Sequence, residues 1–168
     1  MNTRRPHLLL LSSLLALTLS FAGCASTEVA ATPANIVVAA SANPELSTFS
    51  KLIQQAGLQD ALQGNGPVTV FAPSDEAFRA LPAATLDKLA KDPAQLKAVL
   101  GYHVVPGLVK SAGIDSSQPM TTSTGAKMNV AKAGDFVTVD DGLVTKADLP
   151  ASNGVIHVID RVLTPPKK

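Results

Sequence analysis

The stretch Gly66 to Phe78, GPVTVFAPSDEAF, reads as turn, strand, corner and helix within thirteen residues. Asn65-Gly66-Pro67 breaks the chain, and Val68 to Ala72 is an apolar run rich in strand formers. Pro73 ends it, because proline has no N–H for a sheet ladder and its fixed φ suits the entry to a helix. Ser74 stands where a side-chain oxygen can accept from the free amides of a first helical turn. Asp75 and Glu76 then meet the positive end of that helix's dipole. Phe78 returns its ring to the side from which Phe71 came, so the two rings flank a join between helices and a sheet. Each residue has a turn, strand, cap or core assignment, which predicts architecture rather than chemistry.

Upstream, Asn43-Pro44 is a helix start with Asn as cap and Pro at the first helical position. Leu46, Phe49, Ile53 and Ala56 fall on one helical face, and Gly57 closes it. Asn35 begins the globular part, with Ile36 to Ala40 as a short apolar helix. Downstream, Pro82 to Lys91 carries Leu86 and Leu89 inward. Asp92-Pro93 repeats the cap-then-proline start, and Leu96, Val99, Leu100 and His103 share the next helical face. Val104-Val105-Pro106-Gly107 stops that helix, and Leu108 to Pro119 is irregular. From Met120 the period changes from helical to two: Met120 to Thr122, Ala126 to Ala131, Asp135 to Asp140, Leu143 to Thr145 and Val155 to Ile159 read as strands. Asp140-Asp141-Gly142 and Asn153-Gly154 supply the turns. Val155 to Ile159 is apolar on both faces, as a central covered strand is. Helices first and strands mostly later predict an α+β fold.

The beginning of the chain does not fit this domain. Arg4 and Arg5 precede an apolar run from Leu8 to Ala22 that is shorter than the about 20 residues a membrane span needs, and the pattern is that of a signal peptide. Phe21-Ala22-Gly23-Cys24 resembles the lipobox of bacterial lipoproteins, with Phe21 in place of the commoner Leu. That resemblance implies residues 1–23 as signal peptide and a diacylglyceryl group on Cys24. Ala25 after the cysteine implies an outer-membrane location in a two-membrane bacterium. Residues 24–34 read as lipidated cysteine and flexible tether. Cys24 is the only cysteine, so no disulfide can form within the chain. Fourteen basic residues less Arg4 and Arg5 leave twelve against thirteen acidic ones, a mature charge near −1. With no basic stripe, nucleic acid is not an expected partner.

For catalysis, His7 leaves with the signal, so His103 and His157 are the remaining histidines. No Gly-x-Ser-x-Gly elbow, His-Glu-x-x-His pair or phosphate-cradling glycine loop is present. His103 and His157 read as core histidines with both nitrogens satisfied. Phe49, Phe71, Phe78, Tyr102 and Phe136 read as core. No enzyme activity, cofactor or metal is expected.

Three separated blocks carry a family resemblance. Val68 to Phe78 (VTVFAPSDEAF) resembles the first signature block of fasciclin domains, with Phe71, Pro73, Ser74, Asp75 and Phe78 in its structural positions. Tyr102-His103-Val104-Val105-Pro106-Gly107 is similar to their central Tyr-His element. Asn153 to Leu163 (NGVIHVIDRVL), with Asn153, Gly154 and His157, is similar to their second block. The resemblance covers residues 35–165, leaving 166–168 as a tail. It implies a twisted β-sandwich or wedge with several short helices packed on it, and a binding module rather than a catalyst. In animal members an Asp-Ile pair upstream of the second block is linked to integrin contact; Asp148-Leu149 occupies that place here, with Leu for Ile. The candidate binding surface is therefore Asp148, Leu149 and Pro150, with Leu108 to Pro119 as a second option. The expected function is a lipid-anchored module recognising an envelope, matrix or partner-cell protein or glycan. The alternative is a small-molecule or glycan-binding envelope accessory, which would need a lined pocket.

Overall fold

In the computed structural model, residues 34–64 and 66–166 are described. The signal segment, Cys24 and most of the tether lie outside them, as does Asn65. Six helices, α1 (Ile36–Ala42), α2 (Ser47–Gln55), α3 (Gln59–Leu62), α4 (Asp75–Arg79), α5 (Ala83–Lys91) and α6 (Pro93–Tyr102), accompany seven strands. These are β1 (Val68–Pro73), β2 (Val104–Pro106), β3 (Gln118–Thr121), β4 (Lys127–Ala133), β5 (Phe136–Val139), β6 (Gly142–Ala151) and β7 (Gly154–Ile159). The fold is α+β. Its sandwich or wedge takes the form of one continuous seven-stranded sheet in the order β2-β1-β7-β6-β5-β4-β3. The sheet bends into a near-barrel: at its two edges, the Ser123 N–H beyond β3 donates to the Val104 carbonyl of β2 at 2.8 Å.

The caps act largely as their residue types dictate. Asn35 accepts from the Val38 amide, Ser74 from Ala77, and Asp92 from Ala94 and Gln95. Asn43 caps a single 3-10 turn, Pro44–Leu46, before α2 begins at Ser47. Gly57 leaves α2 at φ +64°, the left-handed conformation that glycine adopts without strain.

Inside the sheet, next to the edge strand β2, lies the parallel pair β1 and β7, with Phe71 opposite His157 and Val68 opposite Gly154. Alternation along β1 sends Val70 and Ala72 to a core shared with the helices, among Ile36, Phe49, Leu96 and Ile156. It sends Phe71 into a second core inside the curl, with Tyr102, Val105, Met128, Val130 and Val139. Phe78 belongs to the first core. Its ring therefore lies on the opposite side of the sheet from Phe71, not on the same side, because the corner at Pro73 carries the chain across to the helical layer.

Three further expectations change. Val104-Val105-Pro106 is a strand antiparallel to β1 rather than a mere helix stop. Phe136 is 64% exposed at the β4–β5 hairpin instead of joining a core. The strand read as ending at Thr145 continues as β6 to Ala151, through register shifts between Val144, Lys146 and Leu149. Those shifts break the period of two, so the second half of β6 has no alternation to read.

Candidate functional site

The three sequence blocks meet around the β1–β7 pair. A Cβ on Gly154 would lie 1.8 Å from the Val68 carbonyl oxygen, so no other residue fits there without parting the strands. The neighbouring Asn153 side chain accepts from the Ile36 amide at 2.9 Å and donates to the Leu62 carbonyl, tying α1 and α3 to the β6–β7 turn. Asp75 does not serve only its own helix. Its carboxylate accepts from the Ser47 hydroxyl at 2.6 Å and the Thr48 amide at 2.8 Å, capping α2. Burial pushes its pKa upward, but these bonds prevail and hold it below the ordinary carboxylate value.

The Tyr102 hydroxyl donates to the Asp140 carboxylate at 2.7 Å, which holds the turn between β5 and β6. Burial and then this bond raise the phenol's pKa. His103 is fully buried. Its Nδ1 lies 2.7 Å from the Val99 carbonyl, which can only accept, so Nδ1 carries the proton. Nε2 then accepts from the Leu163 amide at 3.0 Å. One neutral tautomer is thereby selected, and burial pushes the pKa down to about 4 against the pull of the Val99 bond.

His157 is likewise buried and stacks on Phe71, ring centroids 5.3 Å apart. Its Nε2 donates to the Val109 carbonyl at 2.8 Å, and its Nδ1 accepts from the Asp148 amide at 3.3 Å. Burial lowers its pKa, while the Val109 bond and the Asp148 charge oppose that. Asp148 sits in β6 at φ +57°, in the left-handed region tolerated by Asp. Its carboxylate accepts from both the amide and the hydroxyl of Ser111. Burial raises its pKa, yet the Ser111 bonds, with the nearby His157 ring and the Lys110 charge, outweigh this and lower it. The sequence offered no sign of the Ser111 partner, since Ser111 belongs to the irregular stretch.

Asp148, Ser111, His157 and Val109 thus form a clasp between β6, β7 and the loop after β2. Thr69 of β1 continues it, accepting from the Val109 amide at 2.8 Å and donating to the Gly107 carbonyl at 2.7 Å. Ser111, Asp148 and His157 share this network without forming a relay. The serine hydroxyl turns to Asp148, and both ring nitrogens of His157 turn to backbone groups. Among the described residues, no three His, Cys, Asp or Glu side chains are grouped to hold a metal ion.

The clasp brings the two candidate binding segments together. Leu108 and Lys110 form one wall of a groove of about 810 Å³, and Asp148 and Pro150 to Val155 form another. Gln63, Gly64, Gly66 and Pro67 close it from the α3–β1 connection. Leu108 is 52% exposed there. Leu149 turns away and packs, half-buried, against the helical core. No helix among the described residues is long and apolar enough to cross a membrane.

Comparison with known proteins agrees with this architecture. The fasciclin domain model matches residues 44–165. The chain is 42% identical over 144 residues to Protein sll1483 of Synechocystis, covering 84% of this chain and 78% of that protein. It is 41% identical to the pig transforming growth factor-beta-induced protein ig-h3, over 68% of this chain but only 17% of that much longer one. It is 38% identical to cell surface glycolipoprotein MPB83 of Mycobacterium bovis, over 78% of this chain and 60% of the relative. A FAS1 domain pair from the insect cell adhesion molecule Fasciclin I superposes with a TM-score of 0.59 at 22% identity, covering 74% of this chain and 46% of that one. The match extends over all three sequence blocks and the sheet they build, and the chain belongs to the fasciclin domain family.

Proposed function

We propose that this chain is an extracytoplasmic binding module, held to a membrane by lipid on Cys24. It recognises an envelope, matrix or partner-cell protein or glycan through the groove beside Asp148, Leu149 and Pro150. The observation that carries this reading is the convergence of the two candidate segments on one groove. Leu108, Lys110, Asp148 and Pro150 all line the same groove of about 810 Å³. A relative described as a cell surface glycolipoprotein supports a place at the cell surface. Asp148 contributes by shaping the wall, since its carboxylate is already bonded to Ser111. Direct contact then falls to Leu108, Lys110 and Pro150.

The test is retention of intact cells on the immobilised chain. A Leu108→Ala, Lys110→Ala double variant with unchanged circular dichroism should retain at least tenfold fewer cells. A second variant, Asp148→Ala with Leu149→Ala, should also lose adhesion. Full adhesion by both folded variants would retire the groove. Mass spectrometry of the mature N-terminus tests the anchor, and an unmodified Cys24 would remove it.

The groove volume also lies within the roughly 300–1,000 Å³ typical of small-molecule sites, which favours a glycan or small-ligand accessory as the second reading. Its described lining carries no aromatic side chain, so a sugar would lack a stacking platform. Saturable calorimetric heats with free oligosaccharides, lost in the Leu108→Ala, Lys110→Ala variant, would select that reading.

A further inference from the structure

The clasp beside the groove contains a hydrogen bond that a single proton reverses. His157 is buried in β7 against the Phe71 ring of β1. Its Nε2 lies 2.8 Å from the Val109 carbonyl, which can only accept, so the neutral ring carries its proton there. Nδ1 is left as acceptor for the Asp148 amide at 3.3 Å. A further proton has one place to go, Nδ1, and there it meets an N–H that also donates. The bond from β6 to the ring then becomes a contact between two donors.

An acceptor for the new N–H is close by, but it is in use. The Asp148 carboxylate accepts from the amide and the hydroxyl of Ser111, and its charge acts on the His157 ring. Ser111 begins the 3-10 turn Ser111–Gly113 in the loop after β2, so these two bonds fasten that turn to β6. Val109 is held separately, by Thr69 and by Nε2 of His157. The other charges come from the loop and from β4: Lys110 acts on Asp148, and Lys132 donates to the Ser111 carbonyl at 3.1 Å. From β1 the ring meets the uncharged Phe71. Asp148 lies within the register shift between Lys146 and Leu149, outside the paired positions of β6 and β7. It can therefore turn without parting the ladder.

We infer that the clasp is a proton-operated latch on the groove. Protonation of His157 draws the Asp148 carboxylate from Ser111 to Nδ1, and the turn at Ser111 is released while Val109 stays bonded to Nε2. One proton is taken up from solvent and the carboxylate remains ionised. Leu108 and Lys110, which line the groove, flank Val109 on the released segment. The groove therefore holds its partner near neutral pH and lets go in acid, a consequence that rests on the groove being the binding site. Burial keeps the ring neutral below its ordinary value of 6.5, so the latch is closed at pH 7.

The test is NMR titration of the isotope-labelled chain from about pH 7 to about pH 4. The Ser111 and Asp148 amides should move with one midpoint, equal to that of the His157 ring and below 6.5, while the Phe49 amide of the helical core stays in place. His157→Gln, which cannot titrate, should abolish the Ser111 movement. Should that variant not fold, Asp148→Asn decides: it removes the charge that favours the protonated ring and should lower the His157 midpoint by about half a unit or more. Retention of intact cells by the parent chain should fall about tenfold across the same midpoint. A Ser111 amide that stays still through the His157 midpoint, or moves only with the Asp148 carboxyl below 3.8, would overturn the latch. Equal retention on both sides of the midpoint by an adhering chain would overturn its control of the groove. Absence of retention at every pH, with Ser111 following His157, would support the latch and overturn the groove as binding site.

Discussion

Lowering the pH from 7 to 5 should destabilise this domain before any carboxylate titrates. His103 has an ordinary value near 6.5 when unfolded and about 4 in the fold. Between these values the unfolded chain binds the proton and the folded chain does not, so stability falls with falling pH. Integrating that difference gives a loss of about 2 kcal/mol by pH 5 and about 3 kcal/mol by pH 4. His157, also held below its ordinary value, adds in the same direction. Asp75 and Asp148 have depressed values, so their contribution persists above the unfolded carboxylate range and disappears only below about pH 4. The interval from pH 7 to 5 therefore isolates the histidines. Urea unfolding at the two pH values, with constant denaturant slope, reads the difference directly. Proton NMR titration of the folded chain should place the His103 midpoint near 4. A stability change below about 0.5 kcal/mol would refute the argument, because a histidine charged in the fold could not donate to Val99 and accept from Leu163 at once.

Truncating Phe71 to Ala should reduce stability by about 3–5 kcal/mol, since its ring is fully buried against His157. A loss below about 1 kcal/mol on denaturant unfolding would contradict that packing. Gly154→Ala should lower stability by more than about 3 kcal/mol or abolish soluble expression, because its Cβ would collide with the Val68 carbonyl; a thermal midpoint equal to the parent's would show the strands able to part. Ser111→Ala should remove about 1–3 kcal/mol by leaving Asp148 short of partners. It should also speed hydrogen exchange at the Val109 amide, and unchanged exchange there would separate the loop from the clasp.

What the sequence makes legible is local. Ser74 and Asp92 cap helices because their short polar side chains reach the next amides. Val155 to Ile159 reads as central because both its faces are apolar, and β7 does lie between β1 and β6. The burial of His103 follows from its helical spacing with Leu96, Val99 and Leu100. What stays hidden is long-range pairing. Asp75 reads as a dipole residue for its own helix, yet its bonds go to Ser47 and Thr48, far off in sequence and without any marker there. Asp148 reads as part of a candidate binding surface, with nothing to mark its partners. Its place in a bulged strand depends on register shifts that erase alternation, and its partner Ser111 lies in a stretch with no periodicity. Phe136 reads as core by residue type alone, but the hairpin that carries it projects from the sheet. The groove is illegible for the same reason, since its walls come from three connections remote in the chain.

The parallel pair has a consequence for the order of assembly. Among the described strands β1 is the first and β7 the last, yet they lie side by side inside the sheet. Asn153, at the entrance to β7, bonds groups 91 and 117 residues earlier. Contacts of such long range require a large loop to close before they are rewarded, which slows folding. A chain emerging N-terminus first can form its helices and the β3 to β6 meander early. It cannot complete the sheet until β7 arrives, and until then β1 presents a bare apolar edge. Loss of β7 would therefore split the sheet between β1 and β6 rather than trim its margin, and delayed emergence of that strand defines the interval in which the chain is most exposed to aggregation and proteolysis.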